Sequence, residues 1–224
     1  MKLYLSSFGL GNKACELGKM VTGKRRIGVI RNSLDFSSDA ARLRAGRDRE
    51  FNDLQQLGLQ PDEINLRDYF GASGRLCGIL EEYDGLWVVG GNSFILRRAM
   101  RQSGLDSILQ ERKFDDQFVY AGYSAGVCVA TPTLKGIHLD DPPDVVPESY
   151  NAEVIWDGLG FVPFCIAPHY RSEHPESPVI ERVVSFFIEN KMPFIALQDG
   201  EVYIEDSPNH ASNPTLNPGG FTSG

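Results

Sequence analysis

A short glycine-rich segment in the middle of the chain has the spacing of a nucleophilic serine. Gly122, Ser124 and Gly126 form a Gly-x-Ser-x-Gly pattern between the apolar runs 118–121 and 127–130. Between a strand and a helix this pattern is typical of a sharp turn that exposes the serine hydroxyl, because a side chain beside the nucleophile would not fit. We therefore predict Ser124 as the nucleophile of a hydrolase. The alternative is a tight glycine turn with a buried serine.

A serine nucleophile needs a general base, which the chain can supply only from its 4 histidines. His169 follows the apolar run 164–167, so we expect it at the end of a buried strand, where sites of doubly wound sheets form. His138 and His174 lie in polar sequence, and His210 lies near the C-terminal end. We predict His169 as the base. The alternative is a histidine that only caps a loop.

The third member of such a triad is an acid that orients the histidine and stabilises its charged form. Asp199 follows the apolar run 194–197 and precedes Gly200, and Glu201 lies close behind it. Both acids are candidates, and Asp199 is preferred. Since Asp-Gly between two strands is also a strong turn signal, the alternative is that Asp199 only forms a hairpin.

A second glycine-rich segment, 90–92, follows another apolar run and could bring backbone amides beside Ser124. An oxyanion hole takes one donor from the residue after the nucleophile and another from a separate loop. The predicted substrate-binding positions are therefore Gly91, Asn92 and Ala125. Asn92 can equally be the N-cap of a helix, and the two roles are compatible. The segment lacks the Gly-Lys-Ser/Thr ending of a phosphate-binding loop.

The elements that would position these residues alternate between strands and helices. Apolar runs of strand length occur at 3–6, 26–30, 63–66, 85–89, 118–121, 164–167, 194–197 and 202–204. Helical spacing occurs at 38–57, 92–100 and 176–190. This alternation predicts an α/β fold with a doubly wound, mostly parallel sheet and helices on both faces. We expect one domain over residues 1–206, because 224 residues suit a single core.

Two segments interrupt the alternation. Residues 135–151 contain three prolines and several acids, which predicts an ordered loop near Ser124. Residues 207–224 are rich in serine, asparagine, proline and glycine, so we expect a loose, flexible tail; whether this segment belongs to the native protein is left open by the sequence.

Composition limits the partners. A net charge of −8 and a pI near 5.0 disfavour binding to nucleic acid or to an anionic membrane, whereas a small molecule or a peptide fits better. The 4 cysteines form no C-x-x-C pair, so we expect reduced core thiols, and no metal or organic cofactor is implied. No apolar run has the length of a signal or membrane-spanning segment, which predicts a cytoplasmic protein. A homodimer is conceivable, but the sequence locates no interface.

In their order along the chain, the segments 89–94, 122–126, 168–170 and 198–200 resemble peptidase family S51, which includes the aspartyl dipeptidases and the cyanophycinases. The resemblance covers about residues 1–206. It implies a fold similar to the class I glutamine amidotransferases, with serine in place of their cysteine. It also implies the chain order nucleophile, base, acid.

Carried over residue by residue, Ser124 matches the nucleophile of the family, His169 its base, and segment 89–94 its oxyanion loop. Asp199 departs from the pattern, because the dipeptidases have glutamate in an Arg-Glu-Gly motif where this chain has Gln-Asp-Gly. Asp140 resembles another acidic position of the dipeptidases and is the reserve candidate.

The resemblance implies a serine peptidase that hydrolyses small peptides, dipeptides beginning with aspartate among them, through an acyl-enzyme. Recognition of that aspartate would need a nearby cation. Arg171 is close to the histidine in sequence but matches no motif.

Two alternatives remain at this point. One is an α/β-hydrolase esterase, whose acid precedes its histidine, with His174 or His210 as base and Asp157 or Asp144 as acid. The other is a non-catalytic small-molecule-binding protein with the same fold.

Overall fold

A computed structural model of the protein describes residues 1–206, so the predicted tail 207–224 and His210 lie outside the described residues. In chain order, the strands are β1 (Lys2–Ser6), β2 (Arg26–Ile30), β3 (Gln60–Glu63), β4 (Gly85–Val88), β5 (Val119–Tyr123), β6 (Cys165–Ala167), β7 (Phe194–Ala196) and β8 (Val202–Glu205). The α-helices are α1 (Ala14–Met20), α2 (Ala40–Gln56), α3 (Ser73–Leu80), α4 (Ser93–Ser103), α5 (Leu105–Glu111), α6 (Ala125–Cys128) and α7 (Ser177–Glu189).

The main sheet has six strands in the order β3-β2-β4-β5-β1-β8. All its pairings are parallel except that of β8 with β1. The predicted α/β fold with a mostly parallel sheet is therefore confirmed. Strands β6 and β7 pair in parallel with each other in a separate small sheet, which the sequence did not predict.

Both faces of the main sheet are covered, because successive side chains of each strand point to opposite sides. Tyr4, Trp87 and Ala121 pack with Leu17 of α1 and Leu54 of α2 in one core cluster. Their strand neighbours face the other side and pack against helices α3 to α7 in a second, larger cluster. The carboxyl ends of β1, β4 and β5 consequently meet at one edge of the sheet, between the two layers of helices.

The predicted strand at 63–66 is displaced, since β3 spans Gln60–Glu63. An edge strand tolerates Pro61, which has no N–H to donate. After the strand, the Asn65 side chain accepts from the amide of Arg67 and begins a 3₁₀ turn, so the apolar residues there belong to a turn. Helices α1, α3 and α5 were not predicted, because they are short, and two of them contain glycine.

The loop 135–151 is ordered and lies against the start of α4. Asp141 accepts the amide of Ser93 at 2.8 Å, and the carbonyl of Pro142 accepts Asn92 Nδ2 at 3.0 Å. The buried guanidinium of Arg98 donates to the carbonyl of Pro143 at 2.7 Å. These contacts offset the conformational entropy that the proline-rich loop loses on ordering. They also place the acids of the loop beside the edge of the sheet that carries Ser124.

All four cysteines are unbridged, but they are not all core thiols. Cys128 and Cys165 are buried and Cys77 is half-buried, whereas Cys15 on α1 is exposed. Among residues 1–206, no helix is both long enough and apolar enough to cross a membrane.

Candidate active site

Ser124 occupies a strained turn at the end of β5. Its backbone has φ 49° and ψ −113°, and α6 begins at the next residue. A positive φ is uncommon for a residue with a side chain and is found where the surrounding structure holds it in place, frequently at functional sites. The half-buried Ser124 side chain is thereby presented to a cavity of about 670 Å³. The structure thus contains the sharp strand-to-helix turn that the glycine pattern predicted.

The glycines around Ser124 are required by close backbone approach. A Cβ on Gly122 would lie 2.6 Å from the carbonyl oxygen of Val88, and a Cβ on Gly126 would overlap the same oxygen. A Cβ on Gly90 would lie 3.0 Å from Cβ of Ser124 itself. The loop after β4 is therefore packed directly against the turn that carries the serine.

Replacing Gly126 by alanine is expected to destabilise the fold by about 2–4 kcal/mol, because the backbone carbonyl of Val88 cannot rotate away as a side chain could. The midpoint of urea unfolding measures the loss. Gly78→Ala is the control: it lies within α3 with no atom near its would-be Cβ. That change should stabilise the fold by about 0.5–1 kcal/mol. Equal midpoints for both variants would contradict the steric argument.

His169 and Asp199 are brought together by the small sheet. They follow β6 and β7, whose parallel register pairs Ala167 with Ala196. His169 Nδ1 lies 2.7 Å from Asp199 Oδ1, and the imidazole is almost fully buried, with 2% of its side chain exposed. A carboxylate at this distance holds the proton on Nδ1 and leaves Nε2 as the acceptor.

Two serines that the sequence analysis missed fix this pair. Ser7, buried after β1, accepts the amide of His169 at 2.8 Å and donates to Asp199 Oδ1 at 2.9 Å. Ser172 Oγ accepts the amide of Asp199 at 2.8 Å. The only signal in the sequence was a polar residue at a strand end, which is too common to single out. These hydrogen bonds fix the backbone at His169 and Asp199 and the carboxylate of Asp199.

The other candidate acids are not paired with His169. Glu201 accepts the amide of Gln198 at 2.8 Å within the turn. Asp140 lies in loop 135–151 next to the cavity-lining Asp141, and burial, followed by the charge of Glu176, raises its pKa to about 7. Burial likewise raises the pKa of Asp141 to about 6, although the hydrogen bonds from Ser93 oppose that rise.

The remaining described histidines differ in their surroundings. His138 Nδ1 accepts the amide of Gly136, and its ring packs against Trp156 away from the cavity lining. His174 stacks on His169 with ring centroids 3.8 Å apart and planes at 9°. Its carboxylate neighbour is Glu176 at 3.8 Å. Within the described residues, neither Asp144 nor Asp157 pairs with His174, so the acid-before-histidine arrangement of an esterase is not formed there.

The environment of His169 favours its neutral form. Burial is the largest cause and lowers its pKa below the ordinary value, and the charge of His174 lowers it further, while Asp199 and Glu176 act in the opposite direction. A neutral imidazole can accept a proton at neutral pH. Glu176 also lies 3.7 Å from Nε2, so His169, His174 and Glu176 bring three potential metal-ligand atoms within 4.8 Å of one another.

The three predicted oxyanion positions have different roles. Asn92 donates its amide to the carbonyl of Ser33 at 2.9 Å, and its side chain caps α4 by accepting from Phe94 and Ile95. The helix-cap role of Asn92 is thus observed, and its amide is occupied. Within residues 1–206, the amides of Gly91 and Ala125 have no hydrogen-bond partner. Gly91 lines the cavity together with Ser124, and Ala125 directly follows Ser124 in the chain.

Arg171, the cation closest to His169 in sequence, does not line this cavity. Its guanidinium pairs with Glu181 at 3.1 Å, and 65% of its side chain is exposed. The arginines that line the cavity are instead Arg31, Arg42 and Arg49, none of which lies in one of the four motif segments.

Solved structures share this fold. A crystal structure from Listeria monocytogenes EGD-e superposes with a TM-score of 0.70 at 20% identity, covering 91% of this chain and 97% of that one. The structure of a peptidase from an acI-B1 Actinobacterium gives a TM-score of 0.63 at 12% identity, covering 91% and 82%. At these identities the likeness concerns the fold alone.

Sequence relatives are closer. Peptidase E of Streptomyces coelicolor is 36% identical over 126 residues, which cover 54% of this chain and 48% of that protein. A Drosophila melanogaster protein named "Probable alpha-aspartyl dipeptidase" is 33% identical over 127 residues, covering 54% and 49%. The matched region thus spans about half the length of these curated relatives. Residues 47–209 match the model of peptidase family S51, and the chain therefore belongs to that family.

Proposed function

We propose that the protein is a serine peptidase that hydrolyses dipeptides, with Ser124 as nucleophile, His169 as base and Asp199 as the acid of the triad. The observation that carries the proposal is the 2.7 Å contact of Asp199 with Nδ1 of His169, buried at the same cavity as the strained Ser124 turn. Membership of family S51 and the names of its relatives support the dipeptidase activity.

In the proposed reaction, Nε2 of His169 takes the proton of the Ser124 hydroxyl as its oxygen attacks the carbonyl carbon of the peptide bond. The imidazolium that forms is stabilised by Asp199 and then gives the proton to the departing amine. Water, deprotonated by the same histidine, next attacks the acyl-enzyme and releases the acyl part. Neither step requires a cofactor, because the side chains supply the proton transfers.

The negative charge on the carbonyl oxygen would be stabilised by the unpaired amides of Gly91 and Ala125. An amide that already points at this position needs no reorganisation, and each such donor contributes about 3 kcal/mol in comparable enzymes. We retain Asn92 in the proposal only as the residue that orders the loop, because its amide donates to Ser33.

The proposal is tested by incubating the protein with a panel of dipeptides, Asp-X peptides among them, and following the free amino acids by mass spectrometry. We expect hydrolysis of at least one dipeptide and no hydrolysis by Ser124→Ala. Exclusive turnover of simple esters, or specific binding of dipeptides without turnover, would contradict it. A cytoplasmic location and a homodimer stay predictions, open to fractionation and to sedimentation.

The pH dependence of kcat/KM should reflect the lowered pKa of His169. The imidazole must be neutral to accept the serine proton, so activity should fall on acidification with a midpoint below the ordinary histidine value of about 6.5. A midpoint above 7 would contradict the assignment.

Two neighbouring variants should move this midpoint in opposite directions. Glu176→Gln removes a charge that raises the pKa of His169, so the midpoint should fall. His174→Gln removes a positive charge that lowers this pKa, so the midpoint should rise. Each shift should be less than about one pH unit, because both neighbours are partly solvated. Asp140→Asn should leave the loss of kcat/KM on acidification unchanged. That result would show that the loss reflects His169 and not Asp140, the nearby carboxyl whose pKa is about 7.

A further inference from the structure

One face of α2 forms a wall of the cavity that holds Ser124. Arg42, Ala45, Gly46 and Arg49 all line it, at helical spacings of three, four and seven residues, which place side chains on the same side of a helix. The two arginines stand about two turns apart, and the small residues between them leave space. Both guanidinium groups can therefore reach the space above Ala45 and Gly46.

Within residues 1–206, these two cavity-lining arginines form no ion pair, in contrast to Arg31 and Arg47. Arg31 and Arg47 both contact Glu63. In the part of the chain that the structure describes, the side chains of Arg42 and Arg49 make no hydrogen bond or ion pair. In a protein with a net charge of −8, two arginines without an ion pair at a cavity are a feature that an anionic group of a ligand would match.

The wall is held firmly against the strand that carries the nucleophile. The carboxylate of Glu50, which is 6% exposed, accepts Trp87 Nε1 at 2.8 Å and the hydroxyl of Tyr123 at 2.7 Å. Tyr123 directly precedes Ser124. At the other end of the face, Arg31 donates to the carbonyl of Leu43 at 2.6 Å. The arginine face thus has a defined position relative to Ser124.

The opposite wall is anionic. Asp141 and Glu176 line it, and the elements that carry them pack on the other face of the sheet from α2. Glu176 lies 3.7 Å from His169 Nε2, close to the reacting atoms. A dipeptide with free ends has an ammonium group two bonds from the carbonyl that is attacked and a carboxylate on the leaving residue. Its charges therefore match the two walls of the cavity.

We propose that Arg42 and Arg49 bind the free α-carboxylate of the leaving residue, so that the enzyme selects dipeptides by the charge at their C-terminal end. Guanidinium groups suit this role because they bind a carboxylate through paired N–H donors. The inference rests on the proposed peptidase function. The same chemistry would recognise an acidic side chain on the first residue, and the experiment separates the two sources of the carboxylate.

The test compares kcat and KM for a dipeptide that the enzyme hydrolyses, for its C-terminal amide, and for a dipeptide pair that differs only by aspartate or asparagine at the first position. The proteins are wild type, the double variant Arg42→Gln/Arg49→Gln, and Arg44→Gln. Arg44 is the matched control, because it is exposed on the same helix and does not line the cavity. Thermal unfolding verifies that the exposed substitutions leave the fold unchanged.

We expect wild type and Arg44→Gln to prefer the free dipeptide over its amide by about tenfold or more, mainly through KM, and the double variant to lose this preference. Equal rates for both substrates in wild type would overturn the inference while leaving the peptidase function intact. A preference that survives in the double variant, or a loss confined to the aspartate–asparagine pair, would also overturn it. Hydrolysis of no peptide at all would refute the proposed function and the inference with it.

Discussion

Replacing Ser124 by alanine is expected to lower kcat for dipeptide hydrolysis by about 10⁴–10⁶-fold, because the acyl-enzyme can no longer form. The same change should abolish covalent labelling by a small fluorophosphonate, which intact-protein mass spectrometry detects as the loss of a single adduct. Substrate should still bind, since the cavity walls and the amides of Gly91 and Ala125 are unchanged. Alanine should also tolerate the backbone of this turn no worse than serine does.

His169→Ala is the companion variant to Ser124→Ala. It should lose both activity and labelling, because an unassisted hydroxyl is a weak nucleophile. Calorimetry with a dipeptide separates catalysis from binding: Ser124→Ala should bind it with a Kd close to the wild-type KM wherever chemistry is slow. Full activity in Ser124→Ala would refute the assigned nucleophile, and an adduct on wild type that persists in Ser124→Ala would point to another reactive residue.

Replacing Asp199 by asparagine should lower kcat by about 10⁴-fold with little change in the fold. A neutral amide cannot stabilise the imidazolium. It can also donate to Nδ1, which would leave the proton on Nε2 and prevent that nitrogen from accepting the serine proton. The hydrogen bond that Ser7 donates to this side chain and the one that Ser172 accepts from this amide can persist, because asparagine retains an oxygen and its backbone N–H. Steady-state kinetics together with circular dichroism measure both effects.

The matched controls for Asp199→Asn are Glu201→Gln and Asp140→Asn, the two other acids that the sequence left open. Each should change kcat less than about fivefold, because neither touches His169 and effects on positioning alone are small. Asp199→Glu should retain part of the activity, since it keeps the charge and lengthens the side chain by one methylene. A large loss of kcat in Glu201→Gln or Asp140→Asn, together with an unchanged kcat in Asp199→Asn, would assign the acid of the triad to that other residue.

Part of this site follows from local sequence. The turn at Ser124 is encoded by an apolar strand, glycines on either side and an apolar helix start, all within about a dozen positions. The parallel sheet follows from alternating apolar runs, and it implies that strand ends meet at one edge. These predictions succeed because the apolar periodicity of each element and the glycine spacing of the turn are properties of short segments of the chain.

The sequence alone does not decide whether Asp199 or Glu201 lies against His169. Both are acids in the same turn, and which one faces His169 depends on how the turn is oriented against Ser7 and Ser172. For Asn92, too, the sequence predicted two roles, an oxyanion donor and a helix cap. Only the tertiary structure shows that its amide donates to the carbonyl of Ser33 and is therefore occupied.

The sequence by itself therefore determined the fold class, the sharp turn at Ser124 and the position of His169 at a strand end. The tertiary structure decided which acid contacts His169, that β6 and β7 form their own sheet, and that the arginine face of α2 lines the cavity. The physical reason is separation along the chain. The hydrogen bond between Ser7 and Asp199 joins residues 192 positions apart, and no periodicity or propensity of a local segment encodes such a contact.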